Sequence, residues 1–246
     1  MKIVRVSILS YPVAKLTLPQ TVAAVLELIS ARRGHIITAN AEILYAAKSD
    51  AALDSVIRAA DLVTADGMGV VWASRILGDP LPERVSGYDL LHAIAQQASQ
   101  TDLGLFLLGA APGVAEAAAA KLQRLYSDLI IAGTYHGFFK EEESVEVMER
   151  VKSSNADFLF VAMGLGGEAW IYRHKQELNC PAMQVGGSFD ILAGIATRAP
   201  RWMQKSGLEW AHRLYREPKR YRRMLSLPKF VIAVIAERFR EKGVKK

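Results

Sequence analysis

Thr38 and Asn40, Asp66, and Arg84 sit in three short polar clusters in the first third of the chain. The clusters read Thr38-Ala39-Asn40-Ala41-Glu42, Thr64-Ala65-Asp66-Gly67-Met68-Gly69 and Pro82-Glu83-Arg84-Val85-Ser86-Gly87. Together they offer hydroxyls, an amide, a carboxylate and a guanidinium, groups suited to a sugar nucleotide. Asp66 lies between small residues that leave its carboxylate uncrowded, so it could serve as general base on a sugar hydroxyl. It could equally cap a turn. The Arg84 fork suits a diphosphate, or else an ion pair with Glu83 or a solvated position. Thr38 and Asn40 could hydrogen-bond a ligand, or cap a helix starting at Ala41.

Glycines close three apolar runs: Gly109, then Gly164, Gly166 and Gly167, then Gly186 and Gly187. Glycine there lets backbone N–H groups approach a phosphate, although a strand-to-helix turn often needs glycine for steric reasons alone. None of the three matches a dinucleotide-binding fingerprint or a Gly-Lys-Ser/Thr phosphate loop, which disfavours an NAD enzyme or a phosphate-loop NTPase. No metal is expected, because the histidines and the single Cys180 form no ligand spacing and no Asp-x-Asp pair occurs. His35, His92, His136, His174 and His212 read as structural, with His136 set apart by its aromatic neighbours. Cys180 reads as an inert packed thiol.

The elements that must hold these residues alternate between helical and strand periodicity. Thr17 is a predicted N-cap for a helix ending near Gly34, and Ser86 caps another. Glu42 to Arg58 reads as one helix, residues 114–126 as an Ala-rich helix, and Glu141 to Lys152 as a further helix. Ile36-Ile37, Leu62-Val63, Leu103–Leu108, Leu129–Ala132, Phe158–Ala162 and Met183–Val185 read as strands. Short apolar strands separated by helices predict βαβ units, hence an α/β fold: a Rossmann-like, mostly parallel sheet with helices on both faces. Ligands of such sheets bind at the carboxyl ends of the strands, which is where two of the polar clusters fall.

Charge divides the chain. Residues 196–246 hold 15 Lys/Arg against 4 Asp/Glu, whereas residues 1–195 are net acidic. The basic segment interleaves Trp202, Trp210, Tyr215 and Tyr221 with arginines and ends in the apolar run Phe230–Ala236, flanked by Lys229 and Arg238. An apolar stretch with a basic rim predicts docking on an anionic membrane surface in preference to nucleic acid. The expected organisation is a catalytic α/β domain over 1–195, able to fold without the tail, and a helical membrane-docking appendage over 196–246. No apolar run reaches membrane-spanning length and no signal peptide is evident, so the expected location is cytoplasmic, peripheral on the inner face of the membrane. Whether the chain forms a homo-oligomer is left open.

The clusters also occur in a recognisable order. With Gly186-Gly187-Ser188-Phe189-Asp190, Arg198-Ala199-Pro200-Arg201-Trp202-Met203-Gln204, and Gly207-Leu208-Glu209-Trp210 through Arg216-Glu217-Pro218, the chain resembles the WecG/TagA/CpsF family of bacterial glycosyltransferases (glycosyltransferase family 26) over nearly its whole length. The resemblance implies an inverting, metal-independent transfer, without cofactor, from a UDP-sugar to a polyprenyl-diphosphate-linked sugar. Members closest to the TagA type transfer N-acetylmannosamine to lipid-linked N-acetylglucosamine in wall teichoic acid synthesis. It makes Asp66 the base, puts Thr38, Asn40 and Arg84 in the catalytic site, and places Asn40, Arg84, Gly109, Gly187 and Asp190 at UDP. Arg213, Arg220 and Arg223 become candidates for the lipid diphosphate. One departure is Gly167, where the family pattern Pro-x-Gln-Glu before the tryptophan (here Trp170) carries glutamine. That loss leaves the donor sugar open, and admits a non-catalytic nucleotide-sugar-binding protein as the alternative.

Overall fold

A computed structural model describes residues 2–216 and 221–244. Six parallel strands form the central sheet: β3 (His35–Ala39), β4 (Leu62–Ala65), β5 (Gly104–Gly109), β6 (Ile130–Tyr135), β7 (Phe158–Ala162) and β8 (Ala182–Gln184), in the order β4-β3-β8-β7-β5-β6. Their side chains alternate between two apolar layers. Ile36, Leu105, Leu107, Phe158, Phe160 and Met183 enter one core. Ile37 and Ala39 enter a second, and Phe106, Leu108, Leu159 and Val161 a third. Strands buried on both faces are near-continuous apolar runs, which is why the sequence pattern predicts them.

Helices α1 (Leu18–Ser30), α5 (Gly87–Ala98), α6 (Val114–Leu125) and α9 (Ser188–Leu192) supply residues to the first layer. The opposite face is covered by α2 (Ala41–Ala46), α3 (Ala51–Arg58), α4 (Met68–Leu77), α7 (Ser144–Ser153) and α8 (Leu165–His174). Thr17 and Ser86 cap α1 and α5 as expected. The single helix predicted over Glu42 to Arg58 is instead two. Asp50 is non-helical and its carboxylate accepts from the N–H groups of Ala52 and Leu53, both at 3.0 Å, so it starts a new helix.

Strands β1 (Arg5–Ile8) and β2 (Tyr11–Ala14) form an antiparallel hairpin that the periodicity does not reveal. Its turn residues, Leu9 and Ser10, have φ of 51° and 70°, a region where Gly or Asn is the usual signal. Glu237 stabilises that turn from the far end of the chain, accepting from the Leu9 N–H at 2.9 Å.

The basic segment forms α10 (Arg201–Lys205), α11 (Glu209–Arg216), α12 (Tyr221–Met224) and α13 (Ser226–Val244). Helix α13 packs against α2 and α4. Its apolar run, expected to face a membrane, is divided: Phe230 and Val234 are buried in the second core, while Val231, Ile232 and Ile235 are exposed. Arg238 donates to the Leu77 carbonyl at 2.6 Å, capping the end of α4. The tail thus completes a hydrophobic layer of the sheet domain, so Phe230 and Val234 are shared between the two segments expected to be separate.

Candidate active site

The carboxyl ends of β3 and β4 bring the three polar clusters together. Thr38 and Thr64 are register partners, and the Asp66 N–H continues the ladder to the Ala39 carbonyl at 2.8 Å. Val85 N–H then bonds the Ala65 carbonyl at 2.9 Å, laying the third cluster alongside β4. The Asp66 carboxylate accepts from the Gly87 N–H at 3.4 Å. A Cβ on Gly87 would stand 3.1 Å from the Thr38 hydroxyl, so glycine permits this close approach. Gly67, with φ of 118°, turns the chain from Asp66 into α4.

Asn40 does cap α2, its Oδ1 accepting from the Ile43 N–H at 3.0 Å. That bond uses the carbonyl oxygen only. Among the described residues, neither the Asn40 amide nitrogen nor the Thr38 hydroxyl has a hydrogen-bond partner. Two donors beside a half-buried carboxylate are what a sugar or phosphate oxygen requires.

Arg84 fronts a cleft of about 430 Å³ lined by Met68, Arg84, Asp89, Arg198, Arg201 and Gln204. Its ion-pair partners are not Glu83, whose carboxylate instead accepts from the Leu18 N–H. They are Glu209 of α11 at 2.7 Å and Asp89 of α5 at 3.3 Å. Asp89 also receives Arg198 in a two-pronged bond of 2.6 and 2.9 Å, and the Ser86 hydroxyl at 2.6 Å. Arg198 in turn lies over the Tyr88 ring at 4.6 Å. Two guanidinium groups thus converge on one carboxylate, with Glu209 reaching in from the tail.

Burial raises the Asp89 pKa, but the Arg198 and Ser86 hydrogen bonds and the charges of Arg198 and Arg84 outweigh it and hold the group below its ordinary 3.8. A carboxylate with a depressed folded pKa contributes stability that is complete above its unfolded value and is lost as pH falls through the folded one. The stability gap between wild type and Asp89→Asn should therefore narrow in thermal melts taken from pH 5 downward. A gap constant across that range would show that the Asp89 charge is not what stabilises the cluster.

The glycine turns divide by role. A Cβ on Gly109 would lie 2.5 Å from the Ala162 carbonyl oxygen, so close packing of β5 on β7 already demands glycine there. Gly187 is open, meeting only the Asp190 carboxylate at 3.6 Å, and Asp190 stands in the first turn of α9. Gly167 is buried against Gln184: a Cβ would come within 2.4–2.7 Å of the Gln184 amide atoms. The Gln184 amide from β8 therefore fills the space that any side chain at position 167 would have to enter first.

Among the described residues no histidine lines this cleft, although His92 packs on Tyr88, beneath Arg198, with ring centroids 4.6 Å apart. His35 bonds Glu168 at 2.7 Å, His92 bonds Tyr126 at 3.0 Å and His174 bonds Ser144 at 2.9 Å. His136 stacks on Tyr135 with ring centroids 4.5 Å apart. Cys180 is buried and burial pushes its pKa up to about 12, so it is no nucleophile. Among the described residues no group of three or more His, Cys, Asp or Glu is placed to hold a metal ion. Arg220 lies outside the described residues, as do the side chains of Arg213 and Arg223.

Sequence reasoning gave no role to Asp89, Arg198, Glu209 or Gln184. Arg198 and Glu209 stand within the ordered motifs and Asp89 two residues beyond the third cluster, but their pairing spans 109 and 125 residues. Gln184 carried one local signal, a polar side chain inside an apolar strand.

A family model described as "Glycosyl transferase WecG/TagA/CpsF family" matches residues 6–244. A protein of Bacillus spizizenii is 37% identical over 81% of this chain and 78% of its own length. One from Bacillus subtilis is 33% identical, covering 82% and 79%. One from Staphylococcus aureus strain MW2 is 36% identical, covering 81% and 78%. All three bear the name N-acetylglucosaminyldiphosphoundecaprenol N-acetyl-β-D-mannosaminyltransferase.

Proposed function

The chain belongs to the WecG/TagA/CpsF glycosyltransferase family, and from that premise we propose that it transfers N-acetylmannosamine from a UDP-linked donor to N-acetylglucosamine on undecaprenyl diphosphate. It is a hexosyltransferase, and the observation that carries the reading is the convergence of Asp66, Thr38, Asn40 and Gly87 at the carboxyl edge of β3 and β4.

The Asp66 carboxylate takes the proton from the acceptor hydroxyl as its oxygen attacks the anomeric carbon. A new C–O bond forms on the face opposite the departing phosphate, which inverts the centre. The C–O bond to UDP breaks, and the leaving diphosphate carries away the electron pair. Arg84, backed by Glu209 and Asp89, meets the charge developing on that diphosphate. Thr38 and Asn40 orient the donor sugar, while Gly109, Gly187 and Asp190 line the nucleotide side. The scheme uses no metal or cofactor, with Arg84 as the group that meets the leaving diphosphate.

The acceptor is a lipid, which suits the tail. Among the described residues no helix is long and apolar enough to cross a membrane. Exposed Val231, Ile232, Ile235 and Phe239 on α13, next to Lys229 and Arg240, form a surface that adsorbs to an anionic bilayer. Arg213, Arg220 and Arg223 are the candidates to hold the lipid diphosphate at that cytoplasmic surface.

The reading is tested by incubating UDP-N-acetylmannosamine with a short-chain lipid-diphosphate N-acetylglucosamine and measuring UDP release. Absence of release with this donor, and appearance with another UDP-hexose, would change the sugar and keep the reaction. Arg84→Ala should weaken UDP binding by about 1.5–3 kcal/mol, the range for charged hydrogen bonds. Unchanged affinity by calorimetry would leave Arg84 as a purely structural partner of Glu209.

A further inference from the structure

One polar side chain beneath the carboxyl edge of the sheet has no part in the mechanism above. Gln184 ends β8, between β3 and β7, and is 8% exposed. A buried amide in an apolar strand is unfavourable unless hydrogen-bonded. Here Oε1 accepts from the Met163 N–H at 3.4 Å, and Nε2 donates to the Gly164 carbonyl. Both partners belong to the turn between β7 and α8, where Gly164 has φ of 58°.

The same amide sets the identity of residue 167. A Cβ there would meet Gln184 Oε1, Cδ and Nε2 at 2.4, 2.6 and 2.7 Å, so side chains at 167 and 184 compete for one space. Around that space the surface is bare backbone: Gly164, Gly166 and Gly186 have nothing within 4 Å of where a Cβ would stand. A primary amide has two N–H groups and two lone-pair positions, and the turn engages one of each.

We propose that Gln184 is a positioning residue for the donor: it holds the 163–167 turn beside the Gly186-Gly187 turn so that their exposed backbone lines the donor crevice. The turn requires an amide bonded to the Met163 N–H and the Gly164 carbonyl, and a side chain at position 167 can enter the space to supply one only when residue 184 is small. The inference rests on the transferase reading above.

Four variants decide it, each measured for UDP affinity, for donor KM and kcat with the short-chain acceptor, and for unfolding midpoint. Gln184→Ala should raise donor KM about tenfold, the effect of one buried hydrogen bond, with kcat within about threefold of wild type. Gly167→Gln alone should fold poorly, because its Cβ cannot share the space with the Gln184 amide. Gly167→Gln combined with Gln184→Gly should recover donor KM to within about threefold of wild type. Gly167→Ala combined with Gln184→Gly has room but no amide, and should keep the raised KM. If the two double variants share one KM, or Gln184→Ala leaves KM unmoved, the inference is overturned even where stability changes. A wild-type chain that neither binds UDP nor transfers sugar overturns the transferase reading, and this inference with it.

Discussion

Asp66→Asn is expected to lower turnover by about 10²–10⁴-fold, the usual contribution of a general base, while UDP affinity stays unchanged. The substitution is nearly isosteric. Its side-chain oxygen can still accept the Gly87 N–H, and the backbone bond from residue 66 to the Ala39 carbonyl is untouched. The loop geometry should therefore persist while the capacity to take a proton is removed. Turnover measured with saturating donor and acceptor, beside calorimetry with UDP, separates the two effects. Near wild-type turnover would remove Asp66 as the base. A parallel loss of UDP affinity would instead make it a binding or loop-ordering residue.

The second large effect is on folding. Phe230→Ala should destabilise the protein by about 3–5 kcal/mol, the range for truncating a buried phenylalanine to alanine. Phe230 is 2% exposed and shares the second core with Ile37, Leu44, Val70 and Val71. Its loss leaves a cavity where α13 meets α2 and α4, a contact that also holds the Leu9–Ser10 turn through Glu237. Ile232→Ala, two residues on and 67% exposed, should change stability by less than about 0.5 kcal/mol. That variant should nevertheless weaken sedimentation with anionic liposomes, because Ile232 lies on the exposed face proposed above to meet the membrane. Urea titration and liposome co-sedimentation of the pair distinguish the two faces of one helix. A Phe230→Ala protein as stable as wild type would show that α13 does not dock in solution.

Much of the architecture is a local property of the chain. The five consecutive apolar residues Phe158–Ala162 form a strand of those same bounds, because a strand covered on both faces has no polar side to mark its ends except the turns. Thr17 and Ser86 start helices through side-chain bonds to backbone groups three residues away. The candidate site is legible for a related reason. Thr38, Asn40 and Asp66 lie at or just past a strand end, and a parallel sheet necessarily collects those ends along one edge; Arg84 joins them through the Val85 bond to the Ala65 carbonyl.

What the tertiary structure decides is every choice made by residues far apart. The Leu9–Ser10 turn lacks Gly or Asn, and it is held by a carboxylate 228 residues away. Arg84 had a sequence neighbour of opposite charge in Glu83, yet its closest partner is Glu209, brought in by α11. Gln184 and Gly167 are ordinary residues until β8 and α8 are side by side, and then one excludes the other's side chain. The run Phe230–Ala236 is apolar on all sides, so its periodicity names no buried face. Local rules act over one turn of helix or one strand, whereas which side of α13 meets Leu44 and Val70 depends on where the sheet has already placed α2 and α4.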